Sequence, residues 1–291
     1  MIKYSIIIPT YNRADLLNRC LDSLLNQCYK NFEVLVCDDG SIDNTFDVVS
    51  KYQKSLDIKY FKLSNWGGPA RPRNIGINNA KGDWLCFLDS DDIWTNNKLS
   101  IIDKYLNSDV DLLYHKMGLY FNNYNFSNKI LYTRPLKNNP FKDLLLNGNV
   151  ICNSSVVVRK SIIKIIGGIN EEIEMIGCED YNTWLKVSLI TNQIVFVPRL
   201  LGYYDLHLNG LSRKDMSLMH SSAVKDFLYL CSDKEKKYIE AHIKYMRCRY
   251  NYSFNKIYKI DKELLFCIRY GKFNIKLKSI YLFFIKKLKN V

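Results

Sequence analysis

Trp84-Leu85-Cys86-Phe87-Leu88-Asp89-Ser90-Asp91-Asp92 sets five apolar residues directly before three carboxylates in four positions. The apolar run has the composition of a strand buried on both faces. Asp89, Asp91 and Asp92 repel one another unless donors or cations screen them. Alternation at a strand end can turn two carboxylates to one side. Such a pair suits a hard divalent cation whose shell is completed by the phosphates of a ligand. Read alone, the segment also serves as a solvated acidic turn ahead of a helix near Thr95.

Upstream, strands and helices alternate. Lys3 to Pro9 is a continuous β-branched run. Arg13 to Gln27 carries Leu16, Leu17, Cys20, Leu21, Leu24 and Leu25 on one helical stripe, with Asn12 as its expected N-cap. Phe32 to Cys37 is a second strand, and Asp43 caps a helix running to about Lys54. Ile58 to Leu63 is a third strand, and Arg73 to Ala80 a helix ended by Gly82. This rhythm implies a parallel sheet with right-handed crossovers, which binds ligands outside the carboxyl ends of its strands. Three polar clusters fall at such ends: Pro9 to Asn12, Asp38 to Asp43, and Asp89 to Asp92.

The first cluster, Pro9-Thr10-Tyr11-Asn12-Arg13, is not the G-x-G-x-x-G of a dinucleotide fold, and no G-x-x-x-x-G-K-[ST] phosphate loop occurs anywhere. A Thr hydroxyl and a Tyr ring there can hold a base by hydrogen bonding and stacking, or can form a simple turn. Asp38-Asp39-Gly40-Ser41 is either a capped turn or a pair of acceptors for a base N–H and a ribose hydroxyl.

Downstream, Cys152 to Lys160 reads as a strand and a helix start, Gly167-Gly168-Ile169-Asn170 as a turn. Gly177-Cys178-Glu179-Asp180 precedes a helix from Tyr181 to Leu189. On their own, Glu179 and Asp180 only favour that helix's dipole. Tyr203 to Arg213 then holds His207, Ser212 and, between them and the sheet, Asp205.

The chain has 291 residues, enough for one large domain or one domain and an appendage. With 47% hydrophobic and 24% charged residues it is ordinary globular material. Nine cysteines without paired CxxC motifs argue against a zinc knuckle or a disulfide framework and point to a reduced compartment. No signal peptide is visible, and no apolar stretch approaches the roughly 20 residues of a membrane span. The net charge of +13 is uneven: Asp233 to Val291 holds 16 Lys and Arg against 5 Asp and Glu, and no acid follows Glu263. Such a tail needs an anionic partner or a reason to avoid one.

Taken together, Ser5-Ile6-Ile7-Ile8-Pro9-Thr10-Tyr11-Asn12-Arg13, Asp38-Asp39-Gly40-Ser41 with Asp43, Arg73-Asn74-x-Gly76 and Leu88-Asp89-Ser90-Asp91-Asp92 resemble the family 2 glycosyltransferases, with Gly67 to Asn74 like members that build bacterial O-antigens and capsules. The resemblance implies an α/β fold of the GT-A class, a Rossmann-like nucleotide-binding mixed sheet flanked by helices, with a basic helical C-terminal extension. It implies a catalytic domain over 1–215, with a nucleotide-sugar-binding half (1–110) and an acceptor-side half (111–215), then a basic, aromatic-rich helical region over 216–291. Thr10, Tyr11 and one of Asp38 and Asp39 would meet the uracil of a UDP-sugar, flanked by Pro9 and Arg13. Arg73 would lie near the base or phosphates, Asp89 and Ser90 by the ribose or sugar, and Arg213 by the diphosphate. Asp91 would bind Mn²⁺ or Mg²⁺, with His207 as a further metal ligand or diphosphate donor. Asp180 would be the catalytic base and Glu179 its neighbour. His115, His220 and His242 have no such motif and are expected to be structural.

The implied reaction is inverting transfer of a hexose, from UDP-glucose or UDP-galactose, to a sugar hydroxyl of a polyprenyl-diphosphate-linked acceptor. The implied setting is the inner, cytoplasmic face of a bacterial membrane. A sugar-nucleotide nucleotidyltransferase also uses acidic metal sites on an α/β sheet, but the glycine-rich N-terminal phosphate loop is missing. A nucleic-acid-binding use of the tail, with Tyr245, Tyr250, Tyr252 and Tyr258 among Lys and Arg, leaves the acidic clusters unexplained. No nucleic-acid partner is therefore expected. In the tail, Phe273, Leu277, Ile280, Tyr281, Phe284, Leu288 and Val291 form one helical stripe, interrupted in its polarity by Ile275 and Leu282. That stripe suits an anionic membrane surface, packing on the catalytic domain, or a homodimer contact.

Overall fold

The structure, a computed structural model, describes residues 3–121, 125–206, 215–254 and 260–289. The first half follows the expected rhythm: β1 (Tyr4–Thr10), α1 (Ala14–Leu25), β2 (Phe32–Asp38), α2 (Thr45–Tyr52), β3 (Ile58–Lys62), α3 (Ala70–Asn79) and β4 (Trp84–Phe87). These strands run parallel in the order β3-β2-β1-β4. Every residue of β1 and β2 is buried, and Leu17, Cys20, Leu21 and Leu24 of α1 pack against one face. The other face receives α3 at unusually short range. A Cβ on Gly76 would stand 2.5 Å from the Ile7 side chain, so any other residue would push the helix off the sheet. Arg73 rides on this closely docked helix.

The second half is mixed rather than parallel. It comprises β5 (Ile93–Trp94), α4 (Lys98–Ile102), β6 (Leu112–Phe121), β7 (Asn125–Ile130), α5 (Pro140–Asn147), β8 (Val157–Arg159), α6 (Lys160–Ile165), α7 (Glu179–Ile190) and β9 (Ile194–Asp205). The sheet continues β4-β8-β6-β9-β5, with β8 antiparallel to β4 and β6, β9 parallel to β6, and β7 paired to the outer end of β6. The expected strand at Cys152 shrinks to Val157–Arg159, because Asn153–Ser155 forms a 3₁₀ turn. The long strands β6 and β9 carry no clean alternation. Pro198 and Arg199 fall in a register shift, between pairs His115/Val197 and Lys116/Leu200, where a residue without an N–H is tolerated.

One capping expectation changes, and the one for Asp43 holds at α2 and extends to α1. Asn12 does not cap α1: it adopts a left-handed backbone (φ 49°), its Oδ1 accepts from the Ile42 N–H, and its own N–H donates to Ser41 Oγ. Asp43 serves both helices instead. Its Oδ1 accepts from Thr45 N–H (3.1 Å) at the start of α2, and its Oδ2 from Ala14 N–H (3.0 Å) at the start of α1. Burial opposes ionisation of Asp43, but the bonds from Thr45 and Ala14 prevail and hold its carboxyl below the usual range. Asp43→Ala is expected to cost about 1–2 kcal/mol of stability in urea melts at pH 7. The difference should shrink as pH falls through the depressed pKa, where wild type loses the same contribution.

Residues 1–140 and 150–207 form one compact unit, and 141–149 with 208–291 a second. The second contains α5 beyond Pro140, α8 (Ser217–Lys225), α9 (Asp233–Ser253), α10 (Asp261–Tyr270) and α11 (Phe273–Lys289). Ser232 opens α9 with a capping box: its side chain accepts from Glu235 N–H, and Glu235 accepts from Ser232 N–H. Lys142 of α5 pairs with Glu235 at 3.0 Å. Two small apolar clusters hold the last three helices, one built on Cys248, Ile260, Leu264 and Leu282, the other on Ala241, Cys267 and Ile275. The two residues that interrupt the polarity of the tail stripe, Ile275 and Leu282, are thus its core-facing side. Phe273, Leu277, Ile280, Tyr281 and Phe284 are exposed. Among the described residues, no helix is long and apolar enough to cross a membrane. His220 and His242 stack at 5.6 Å within this unit, where burial holds both rings neutral.

Candidate active site

The carboxyl ends of β1, β2 and β4 converge, because neighbouring parallel strands place their C-terminal turns side by side. At β1, Pro9 and Thr10 are buried, Tyr11 is 45% exposed, and Arg13 is half-buried. Thr10 Oγ1 is buried with no partner among the described residues. At β2 the two aspartates differ. Asp38 is fully buried; its Oδ1 accepts from the Ser41 N–H and hydroxyl, and its Oδ2 from the Tyr60 hydroxyl. It closes the turn. Asp39 accepts from the backbone N–H groups of Trp66 and Gly67, each at 2.9 Å. That fixes the loop leading into α3 beside the β2 end.

The three carboxylates after β4 separate by direction. Asp89 Oδ1 accepts from Arg73 Nη2 (2.7 Å) and Asn153 Nδ2 (3.1 Å), and its side chain is 28% exposed. Asp91 Oδ2 accepts from Arg13 Nη1 at 2.5 Å, while its backbone carbonyl accepts from the Tyr120 hydroxyl. Ser90 and Asp92 turn inward and are buried. Asp92 Oδ1 accepts from Asp205 N–H at 3.0 Å. Burial, then the charges of Asp91 and Asp89, push its carboxyl well above the usual range, and its bond from the Asp205 N–H ties it to the end of β9. Asp205 itself pairs with Arg19 at 2.9 Å. It is a tie between β9 and α1 rather than a group presented to a phosphate.

Glu179 and Asp180 open α7. Glu179 is 4% exposed, and its Oε1 accepts from Arg73 Nη1 at 2.6 Å. Its Oε2 accepts from Gly177 N–H at 2.6 Å. Asp180 is half-buried and accepts from Tyr181 N–H. Burial first, and then the adjacent Glu179 charge, push its carboxyl up to about 7, with Arg73 pulling the other way. A carboxylate held there is suited to taking a proton near neutral pH. One guanidinium, Arg73, therefore touches both the β4 end and the α7 start.

His207 and Arg213, with Ser212, lie outside the described residues. His115 is buried, its Nδ1 at 2.9 Å from Lys116 O, and burial holds its pKa well below the usual value. Asn153 and Ser154 were missed as site-shaping residues: Ser154 Oγ accepts from Asp89 N–H, and Asn153 donates to the Asp89 carboxylate. Three polar residues set in an apolar stretch were the available signal. Tyr120 and Arg19 carried none. A groove of about 650 Å³ between the starts of α1 and α2 is lined by Arg13, Asp43 and Lys51 among others. It excludes Asp89, Asp91 and Asp180 and so is not where the acidic groups meet.

The donor set suits a hard cation. Asp91 offers carboxylate oxygen, and a guanidinium already stands against it in positive charge. Among the described residues no group of three His, Cys, Asp or Glu is assembled to hold a metal, so most of a cation's shell must come from phosphate and water.

The sequence model "Glycosyl transferase family 2" matches residues 5–166. The UDP-Glc:alpha-D-GlcNAc-diphosphoundecaprenol beta-1,3-glucosyltransferase WfaP of Escherichia coli is 30% identical over 211 residues, covering 72% of this chain and 79% of that protein. The poly(ribitol-phosphate) beta-N-acetylglucosaminyltransferase TarS of Staphylococcus aureus (strain Mu50) is 40% identical over 224 residues, covering 72% of this chain and 36% of that protein. An uncharacterized glycosyltransferase of Rickettsia conorii is 28% identical, covering 85% of this chain and 44% of its own. The chain thus spans less than half the length of several curated relatives it matches. The crystal structure of S. aureus TarS 1-349 in complex with UDP-GlcNAc superimposes with a TM-score of 0.67 at 23% identity, over 92% of this chain and 79% of that one. The fold is therefore GT-A.

Proposed function

The chain belongs to glycosyl transferase family 2, and from that membership we propose that it is an inverting glycosyltransferase that moves a hexose from a UDP-sugar to a sugar hydroxyl of a polyprenyl-diphosphate-linked acceptor. The observation that carries this reading is the joining of Asp89, at the β4 end that also bears Asp91, to Glu179 of the Glu179–Asp180 pair through Arg73. It supports a donor side and an acceptor side separated by one side chain. UDP-glucose is the first donor to test, since WfaP is named for it, and UDP-GlcNAc the second, since TarS 1-349 was crystallised with it. UDP-galactose completes the panel. The names of WfaP and TarS specify acceptors that carry phosphate, which supports an anionic acceptor for bacterial surface polysaccharide.

On the donor side, Asp39, Thr10 and Tyr11 hold the uridine, and Pro9 and Arg13 flank it. Asp38 is enclosed by its own turn, and Ser90 is buried between Asp89 and Asp91. Asp89 faces the ribose or sugar. Asp91 supplies the protein carboxylate for Mn²⁺ or Mg²⁺, and the cation, when bound, neutralises the charge that develops on departing UDP. Asp180 takes the proton of the acceptor hydroxyl as its oxygen bonds to the anomeric carbon and the bond to UDP breaks on the opposite face. The test is a panel of UDP-sugars, with GDP-mannose as control, assayed with and without Mn²⁺ against lipid-diphosphate-linked GlcNAc. If no UDP-sugar is transferred or hydrolysed and UDP does not bind, the reading fails.

The exposed face of α11 supports work at a bilayer, at the inner face of the bacterial membrane. Phe273, Leu277, Tyr281 and Phe284 stay out of the helical core while Ile275 and Leu282 pack into it, and Lys276 and Lys278 border the exposed stripe. Rings in the acyl boundary and lysines on anionic headgroups suit such a face. Deleting α11 would also remove core residues, so point changes are the cleaner experiment. Phe273→Ser with Tyr281→Ser and Phe284→Ser is expected to weaken sedimentation with anionic vesicles roughly 100-fold, with unchanged circular dichroism. Unchanged vesicle binding would leave the face to a second copy of the chain or to another protein segment.

A further inference from the structure

We propose that Arg73 is a positioning residue for the transfer step, a buried bridge that sets Glu179 against the donor-side Asp89 and thereby holds the Asp180 carboxylate at the N-terminus of α7. The inference deepens the glycosyltransferase reading and rests on it. Motif resemblance alone puts Arg73 beside the base or phosphates of the nucleotide. Its geometry is different. The side chain is 4% exposed, with Nη2 on Asp89 Oδ1 at 2.7 Å and Nη1 on Glu179 Oε1 at 2.6 Å. Little of the guanidinium is left to face a phosphate. Its Nε is buried with no partner among the described residues, so the two carboxylates are what compensate its desolvation.

The three elements that meet here come from distant parts of the chain, and each is fixed from behind. α3 cannot come any nearer to the sheet, because Gly76 already lies on Ile7. Asp89 is tied by its N–H to Ser154 Oγ and by its carboxylate to Asn153. Glu179 is fixed on its other oxygen by Gly177 N–H, in a turn where Gly177 has φ 91°. A fork with short bonds to two fixed carboxylates has little freedom, and it transmits that order to the residue after Glu179. The same fork sets the local charge. Around Asp180 stand Glu179 on its own helix, Arg73 on α3 and Asp89 at the β4 end, together with the thiols of Cys178 and Cys152, which burial keeps protonated. Removing Arg73 leaves three carboxylates in one place with a cation fewer. Donor contact at Asp89 and base geometry at Asp180 therefore share one support.

The experiment compares wild type with Arg73→Met, Arg73→Lys and Glu179→Gln. It reads thermal stability, UDP affinity by calorimetry with Mn²⁺, kcat and KM for the donor, and kcat against pH. Arg73→Met is expected to lose roughly 100-fold in kcat while UDP affinity stays within about threefold, and Arg73→Lys to recover part of that loss. The acid limb of the kcat profile should move to higher pH in Arg73→Met and to lower pH in Glu179→Gln, because one variant removes a cation beside Asp180 and the other an anion. Loss of UDP affinity with kcat retained at saturating donor would make Arg73 a nucleotide ligand and overturn the proposal. An acid limb that stays in place in both variants would overturn it as well. If Arg73→Met does not fold, the direction of the Glu179→Gln shift decides. If wild type binds no UDP, it is the glycosyltransferase reading that fails, and carbon-13 NMR titration of Asp180 in wild type and Arg73→Lys still decides whether the bridge sets that carboxylate.

Discussion

Asp180→Asn is expected to lower turnover by roughly two to four orders of magnitude while UDP affinity, read by calorimetry, stays at the wild-type value. The amide keeps the shape and the position at the start of α7 but cannot accept the hydroxyl proton. Wild-type kcat should rise with pH through an ionisation near the value of about 7 to which burial and Glu179 push this carboxyl, and the variant should lack that limb. The same shift has a stability sign. The unfolded carboxyl ionises near about 3.9, so between there and about 7 the folded state holds the extra proton. The fold is favoured by this group at low pH, and that contribution is lost as pH rises through the folded value. Asp180→Asn should therefore raise the melting temperature at pH 8 more than at pH 5. Normal turnover with weakened donor binding would move Asp180 to the donor side and leave the base unidentified.

Asp91→Ala is the second large effect. Turnover should fall by at least roughly three orders of magnitude, and Mn²⁺ should no longer strengthen UDP binding, because the protein's carboxylate on the cation is gone and the developing diphosphate charge is left without its counter-ion. Stability should change little. Asp91 lies at a strand end, and its ion pair with Arg13 at 2.5 Å involves a guanidinium side chain that is 32% exposed, a setting in which such pairs contribute below about 1 kcal/mol. Titrating UDP into wild type and variant with and without Mn²⁺ separates the outcomes. Near-normal activity, or a Mn²⁺ dependence that survives, would remove Asp91 from the cation site.

Much of this was legible in the residues themselves. The β-branched runs at Lys3 to Pro9 and Phe32 to Cys37 could only be buried strands. The leucine stripe after Arg13 could only be a helix laid on them, since both patterns depend on near neighbours and on a period that local geometry imposes. The acidic clusters at Asp38 and Asp89 were visible because turn chemistry and strand ends are also local. What the residues left open was set by contacts between distant positions. Nothing in Asp89-Ser90-Asp91-Asp92 distinguishes its three carboxylates. Asp92 became the enclosed one, its carboxyl pushed up by burial and by the Asp91 and Asp89 charges, and β9, more than 100 positions later, brings the Asp205 N–H to its Oδ1. Nothing near Arg73 shows that it will turn from the nucleotide to Glu179, 106 positions away. Ile275 and Leu282 disturbed an amphipathic pattern until α9 and α10 supplied the core that they enter. Local sequence determined which strands and helices form and where their polar ends fall. Tertiary packing decided which of those polar groups are desolvated and paired and which stay open to a ligand, because a side chain's charge and partners depend on what the rest of the fold brings within a few ångströms of it.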